Sequence, residues 1–291
     1  MTTQIRGNVH ITIRPVNPQD QVRLANLLHF EFHNHRHLDW ISPLDLLDVQ
    51  PFLTVEQDGI VQAALACPID PPGVAWIRLF AASGNVSYDA MWQLLWAQAR
   101  QQLTDLGGAR VVAITLNPWF GDLLERSRFY RIQEVVFLTW ENQKIPEPYH
   151  QVSITIRPMT KADLSQVRMV DAAAFAPIWQ NSLVSLAAAL DQSFLATVVE
   201  DSSGIVAYQI STLGHLGGHL ARLAVIPGLQ GRKIGHDILV DLLHQFQIQN
   251  IHRVTVNTQL DNIVSLNLYH KLGFYQTGES YPVYEYKNPG I

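Results

Sequence analysis

The stretch "RLAVIPGLQGRKIGHDIL", Arg222 to Leu239, decides how this chain reads. Its first part is apolar and strand-like, Pro227 ends the strand, and a glycine-containing turn then opens a long helix over about Gln230 to Asn250, with Ile234, Ile238, Leu242 and Phe246 at four-residue steps. A helix N-terminus carries unpaired N–H groups and the positive end of the dipole, so acidic side chains suit its first turn. Here Arg232 and Lys233 stand there instead. That arrangement costs stability unless an anion lies on the turn, and Gly231 and Gly235 would let an anion approach the backbone. The residues alone leave two readings open: a phosphate-bearing ligand, or a solvated basic turn.

Neither common nucleotide pattern fits. A P-loop needs Gly, four residues and then Gly-Lys-Ser/Thr, which the sequence after Gly228 does not supply. The dinucleotide fingerprint fails as well, because Gly228, Gly231 and Gly235 are spaced three and four apart.

Upstream of the turn, "VSITIRP" reads as a strand and "TKADLSQVRMVDAAAFA" as a helix capped by Thr160 with Asp163 three residues on. "FLATVVED", "GIVAYQIST" and "GHLARLAVI" read as three strands joined by short turns. Downstream come a strand "HRVTVNT", a shorter helix "NIVSLNLYHKL" and a pair of strands, "FYQTGE" and "PVYEY". This order is that of an α/β (α+β) mixed sheet.

The same unit is spelled twice. "ITIRP" at Ile11 returns at Ile154, "QVR" at Gln21 returns at Gln166, Phe30 falls on Phe175, "RLF" at Arg78 falls on "RLA" at Arg222, and "NPWFGDLLERSRFY" from Asn117 falls on "NIVSLNLYHKLGFY" from Asn262. The offsets drift between 143 and 145, a period that means two whole domains and not a solenoid. The linker is placed at "NQKIPEPYHQ", Asn142 to Gln151, giving domains over 1–145 and 151–291.

A hydrophobic fraction of 47% suffices for two cores. Cys67 is the single cysteine, and "MTTQIRGNVH" has no apolar leader, so a reducing, cytoplasmic setting is expected. No run approaches the roughly 20 apolar residues of a membrane span. A net charge of −5 argues against a general nucleic-acid binder.

The stretch resembles the signature of the GNAT superfamily, the acetyl-CoA-dependent N-acetyltransferases: a strand ending in "LAV", a proline, then Arg/Gln-x-x-Gly-x-Gly/Ala opening a helix. The matching residues are Leu223, Ala224, Val225, Pro227, Gln230 and Gly235, and Asn262 with "LYHKLGF" supplies a second signature. Lys233 departs from the pattern at the first signature glycine, where its backbone N–H remains available. The resemblance implies two tandem GNAT-like domains, each a mixed, mostly antiparallel sheet flanked by helices. It implies acetyl-CoA as co-substrate, with the pantetheine arm along Leu223, Ala224 and Val225. The pyrophosphate falls on Gln230, Gly231, Arg232, Lys233, Ile234, Gly235 and His236, with Asn262 nearby. Tyr269 becomes the general acid toward the departing thiolate; read alone it is equally a packed helix-face aromatic. His219, at the position of the catalytic carboxylate of some members, becomes the general base; an ordinary strand histidine with a water relay is the other reading. Strand alternation puts His219 on one face with Ala221, Leu223 and Val225. Phe175, Trp179, Tyr281 and Tyr284 are candidates for the pocket of a small-molecule or peptide amine. A non-catalytic acyl-CoA sensor is the competing class. A monomer or homodimer is expected.

Laid over the motif, the first copy has Val86 at Gln230, Asp89 at Lys233, Met91 at Gly235 and Leu124 at Tyr269. Such a turn would not cradle a pyrophosphate, so one working site per chain is expected. His29, His33 and His37 recur at four-residue steps, but no "HExxH" accompanies them, and the helix is expected to end near Asn34. A solvated or acceptor-facing cluster is favoured over a metal site.

Overall fold

The computed structural model describes residues 11–38, 40–149 and 154–287. The N-terminal stretch read for a leader, and His150 and Gln151 of the linker, lie outside them.

In chain order the elements are β1 (Ile11–Pro15), α1 (Gln21–Phe30), β2 (His33–Arg36), β3 (Phe52–Gln57), β4 (Ile60–Ala66), β5 (Val74–Trp76), β6 (Leu79–Ala82), α2 (Tyr88–Asp105), β7 (Arg110–Ile114), α3 (Pro118–Arg126) and β8 (Phe129–Glu141). There follow β9 (Thr155–Pro158), α4 (Leu164–Ala174), α5 (Leu183–Asp191), β10 (Leu195–Asp201), β11 (Gly204–Gly214), β12 (Gly217–Val225), α6 (Ile234–Ile248), β13 (Arg253–Gln259), α7 (Ile263–Lys271) and β14 (Tyr275–Tyr286). The mixed, helix-flanked sheets are those expected, while α5 carries no strong sequence signal and was not anticipated. "FYQTGE" and "PVYEY" are not a pair of strands: β14 runs through both without a turn, because its long neighbour β8 offers an edge of matching length.

Backbone contacts divide the chain into 1–131 with 284–291, and 132–283. The linker marks where one copy ends in sequence, but each copy's last strand crosses over. Residues 132–141 of β8 belong to the second unit, where Val135–Glu141 pair antiparallel with β13, and Tyr284–Tyr286 of β14 belong to the first. In the second unit the strand order is β14-β8-β13-β12-β11-β10-β9. In the first, β1-β3-β4-β6-β2 form one sheet, and β5 pairs in parallel with β7.

The repeated "ITIRP" is explained by its arginine. Arg14 makes a two-pronged contact with Asp20, at 2.7 and 2.8 Å, and reaches Glu56 at 2.5 Å; Arg157 does the same with Asp163, at 2.8 Å twice, and with Glu200 at 2.6 Å. Asp20 and Asp163 in turn close capping boxes with Asn17 and Thr160 at the turns that lead into α1 and α4. Hydrogen bonds from the arginines hold both carboxylates below their ordinary range. These anchors also correct two of the matches. They share an offset of 20 − 14 = 163 − 157 = 6 residues and a common shift of 143, so α1 lies over α4 at 143 and not at 145. The "QVR" pair slips by two positions, and Phe30, 76% exposed at the end of α1, is not the counterpart of Phe175.

The core of the second unit that positions the site gathers Leu220, Leu239, Leu242, Leu243 and Phe246 with Val254, Val256, Leu266, Tyr269 and Phe274. It is formed between β12, β13, α6 and α7.

Candidate active site

Two parallel strands, β12 and β13, pair over three residues only, Gly218–Leu220 against Val254–Val256. Beyond Leu220 they part. β12 continues to Val225 on β11, and β13 continues to Gln259 on β8. The parting coincides with a bulge: Ile210 pairs with Arg222 and Ser211 with Leu220, so Ala221 is an extra residue that bends β12 away. Ile226 donates its N–H toward β11, to Val206 at 3.0 Å. By strand alternation the amides of Leu223 and Val225 point the other way, into the gap. A parted edge of this kind accepts an extended chain.

The bulge corrects the expected alternation. Leu220 and Leu223 both pack on the core of α6 and α7, so Leu223 shares a face with Leu220. His219 lies on the opposite face together with Arg222, which reaches Asp171 on α4. Nδ1 of His219 is 2.9 Å from Thr255 Oγ1, and that hydroxyl donates to the Gly218 carbonyl at 3.3 Å. The hydroxyl proton being used there, the ring donates from Nδ1 and keeps its lone pair on Nε2. Burial lowers the imidazole's pKa, against hydrogen bonds with Asn257 and Thr255. His219 is therefore neutral at pH 7.

The gap ends at the turn. α6 begins at Ile234, four residues later than the periodicity indicates, because Gly231 (φ +78°) and Lys233 (φ +69°) take left-handed backbone. Lys233 is the N-cap, and among the described residues no side-chain capping hydrogen bond closes the helix. In the first turn, the N–H groups of Ile234, Gly235 and His236 thus form the uncapped end that an anion complements. Gln230 donates from Nε2 to the Val225 carbonyl at 3.0 Å. Asp237, buried at 4% exposure, accepts the backbone N–H of Tyr149 at 2.8 Å, and the Lys233 ammonium lies 5.3 Å from the centre of the Tyr149 ring. Gly235 serves packing as well as access: a Cβ there would come within 3.2 Å of Leu268 Cδ2 and 3.8 Å of Val225 Cγ2.

Asn262 caps α7, its Oδ1 accepting from Ser265 N at 3.2 Å. Tyr269 is on the same helix, 5% exposed, with its ring against Phe274. Burial raises the phenol's pKa well above its ordinary value.

Of the acceptor candidates, Phe175 lies under the Arg222 guanidinium, 3.5 Å from Cζ to ring centre, and Trp179 accepts from Arg222 through its carbonyl while its indole N–H donates to Gln133 at 2.8 Å. Tyr281 is on β14 against Phe137, with its hydroxyl on Glu279. Tyr284 belongs elsewhere: its ring is buried in the core of the first unit and its hydroxyl donates to Glu125 at 2.8 Å. Sequence reasoning missed Arg222, Asp171 and Tyr208, which form one network, and Thr255, which orients His219. An arginine directly before "LAV", within an otherwise apolar strand, was the available signal.

In the first unit, α2 is capped by Ser87, whose hydroxyl accepts from Ala90 N at 3.3 Å, and Asp89 lies in its first turn. Leu124 is fully buried. The histidines do not form a helical stripe: α1 ends at Phe30, His29 is on it, His33 opens β2, and His37 follows β2. His33 stacks on Tyr88, His35 on Phe120 and His37 on Trp76, at 4.2, 3.9 and 4.6 Å. Burial lowers the pKa values of His35, to about 4, and of His37.

Residues 161–284, which hold this parted pair of strands and the turn of α6, match the acetyltransferase (GNAT) domain model. These residues belong to that family, and the chain as a whole has the fold of tandem GNAT proteins. It superposes on a GCN5-related N-acetyltransferase from Sphaerobacter thermophilus with a TM-score of 0.62 at 14% identity, over 97% of each chain. A tandem GNAT protein from the clavulanic acid biosynthesis pathway gives 0.63 at 11% identity, over 97% of this chain and 100% of that one. In sequence, 68 residues are 37% identical to the spore coat polysaccharide biosynthesis protein SpsD of Bacillus subtilis (strain 168), and the match spans 23% of that protein's length. Among the described residues no helix is long and apolar enough to cross a membrane.

Proposed function

We propose that the second unit transfers an acetyl group from acetyl-CoA to an amine of a small molecule or peptide. The observation that carries this reading is the continuity of the gap: the bare edge of Leu223 to Val225 leads directly into the uncapped turn of α6. When bound, acetyl-CoA supplies the acyl group as a thioester whose thiolate departs. Leu223 and Val225 offer N–H groups to an amide-bearing arm, and the turn from Gln230 to His236 offers N–H groups and the Lys233 ammonium to phosphates. Tyr269, kept protonated by burial, holds the proton that a departing thiolate takes up. Nε2 of neutral His219 takes a proton from the attacking ammonium group.

The test is a screen of monoamines, polyamines, aminoglycosides and peptides with acetyl-CoA, read by thiol release. Amine-dependent release that Tyr269→Phe suppresses supports the enzyme. Tight acetyl-CoA binding without release for any amine would make the domain a sensor.

A further inference from the structure

The two copies treat the same strand edge in opposite ways. In the second unit the Arg222 guanidinium donates to Asp171 Oδ2 from Nε at 2.9 Å and from Nη2 at 2.6 Å. Nη2 also reaches the Trp179 carbonyl at 2.5 Å, and the Phe175 ring covers the guanidinium. Tyr208 donates its hydroxyl to the same Oδ2 at 2.5 Å, and Asp171 Oδ1 accepts Asn181 N at 2.7 Å. Asp171 is fully buried, and the side chain of Arg222 is 14% exposed. The contacts of Phe175, Trp179 and Asn181 tie the segment after α4, residues 175–181, to this pair, and those of Arg222 and Tyr208 hold Asp171 of α4 on β12 and β11.

Among the described residues of the first unit that network is absent. The shift of 143 fixed by the arginine anchors puts Leu28 at the place of Asp171, and the register of β4 over β11 puts Ala64 near that of Tyr208. Leu79, which the register of β6 against β4 lays over Arg222, is apolar and packs in one core with Leu28. The segment after α1 is then not held on the face. His33–Arg36, which the same shift lays over Ala176–Trp179, pairs as β2 with Leu79–Ala82, on the side of β6 away from β4. Phe80–Ala82 is the stretch that the register lays over Leu223–Val225, so the first copy pairs the corresponding edge with its own chain.

We infer that Asp171 and Arg222 are positioning residues: their ion pair holds residues 175–181 off the edge of β12 and keeps the gap open. The inference rests on reading that gap as the acetyl-CoA site. A bare strand edge is a template for any extended segment within reach. A segment leaving α4 is tethered close by, so its effective concentration is high. Without the clamp the segment competes with ligand for the edge, and apparent affinity falls with the fraction of open molecules.

The experiment uses the full chain with Asp171→Asn and, because a lone buried charge can unfold a protein, the double variant Asp171→Leu/Arg222→Met, which removes both charges at similar volume. Two quantities are read: hydrogen exchange of the amides of residues 223–226, and acetyl-CoA affinity by calorimetry. The expected result is slower exchange at Leu223 and Val225, by about tenfold or more, with a similar loss of affinity. A folded variant with unchanged exchange overturns the inference, whether or not affinity changes. A double variant too unstable to measure overturns it too, since the pair would then serve the fold itself. Exchange needs no ligand, so a protein that fails to bind acetyl-CoA refutes the reading of the gap while leaving the clamp separately decided.

Discussion

At Leu79–Ala82 the first unit pairs its strand edge with His33–Arg36, whereas at Leu223–Val225 the second unit leaves the corresponding edge bare toward β13. The helix beyond shows the same contrast. α2 is capped by the Ser87 side chain, while α6 begins on a left-handed Lys233 whose side chain makes no cap, although both helices carry an aspartate in the first turn, Asp89 and Asp237. One fold thus exists in a self-satisfied form and in a form with unmet hydrogen-bonding groups. Unmet groups are the costly condition, and a chain retains them where a ligand supplies the partners. This difference is what supports placing the proposed acetyl-CoA site in the second unit.

The strongest way to break this contrast is at the turn. Gly235→Asp places a carboxylate beside the uncapped N–H groups and presses a side chain on Leu268. Acetyl-CoA affinity is expected to fall about a hundredfold or more, some 2.7 kcal/mol by the usual conversion. Gly235→Ala, which meets the same Leu268 contact without the charge, should lose far less. Equal losses in calorimetry would mean that packing, and not the anion, dominates the position.

Chemistry gives a comparable effect with a different signature. Tyr269→Phe keeps the buried ring and removes the proton, so turnover should drop by about a hundredfold, with the Michaelis constant for acetyl-CoA nearly unchanged. Turnover that survives intact would remove Tyr269 as general acid and leave the binding site standing.

His219 sharpens the contrast through pH. Its folded pKa is depressed by burial, so the ring is neutral above its ordinary value and stays neutral as pH falls through that value. The limb of turnover assigned to it should therefore lie below pH 6.5, and His219→Ala should abolish that limb. A limb centred above 6.5 in the unaltered protein would belong to another group. The same depression means that the unfolded chain binds the proton more readily, so stability should decline as pH drops below 6.5.

The smallest effect compares what the copies share. Arg14→Ala and Arg157→Ala each strand a carboxylate, Asp20 or Asp163, that is buried and held by its arginine. Each change should cost about 2 kcal/mol in a denaturant titration. Asp20 and Asp163 have depressed folded pKa values, so their contribution is present above the unfolded carboxylate pKa and is lost as pH falls below it. In the arginine variants that acid-side loss should be blunted.

Much of this was legible in the residues. "ITIRP" and "RLAVIPGLQGRKIG" announced the repeat and the turn, because an arginine anchor and a helix start are local events whose spacing is fixed by a few bonds. The bulge at Ala221 was not legible, since a one-residue insertion leaves the apolar run unbroken while reversing which face His219 shares with Leu223. Nor was the exchange of β8 and β14, which moved Tyr284 from a candidate pocket into the first core, because strand partners are chosen over distances that periodicity does not encode. The "QVR" match misled by two residues because its valines have opposite environments: Val22 is exposed at the start of α1, whereas Val167 is buried on the inner face of α4. The clamp at Arg222 needed three distant positions, 171, 208 and 222, to be seen together.

The central claim is that one unit is open to acetyl-CoA and the other is closed by its own strand. Calorimetric titration of the full chain with acetyl-CoA tests it most directly, run beside Gly235→Asp. A stoichiometry near one that Gly235→Asp abolishes is the result expected from the two edges as they stand. Two equivalent sites, or a single site that Gly235→Asp leaves intact, would contradict it.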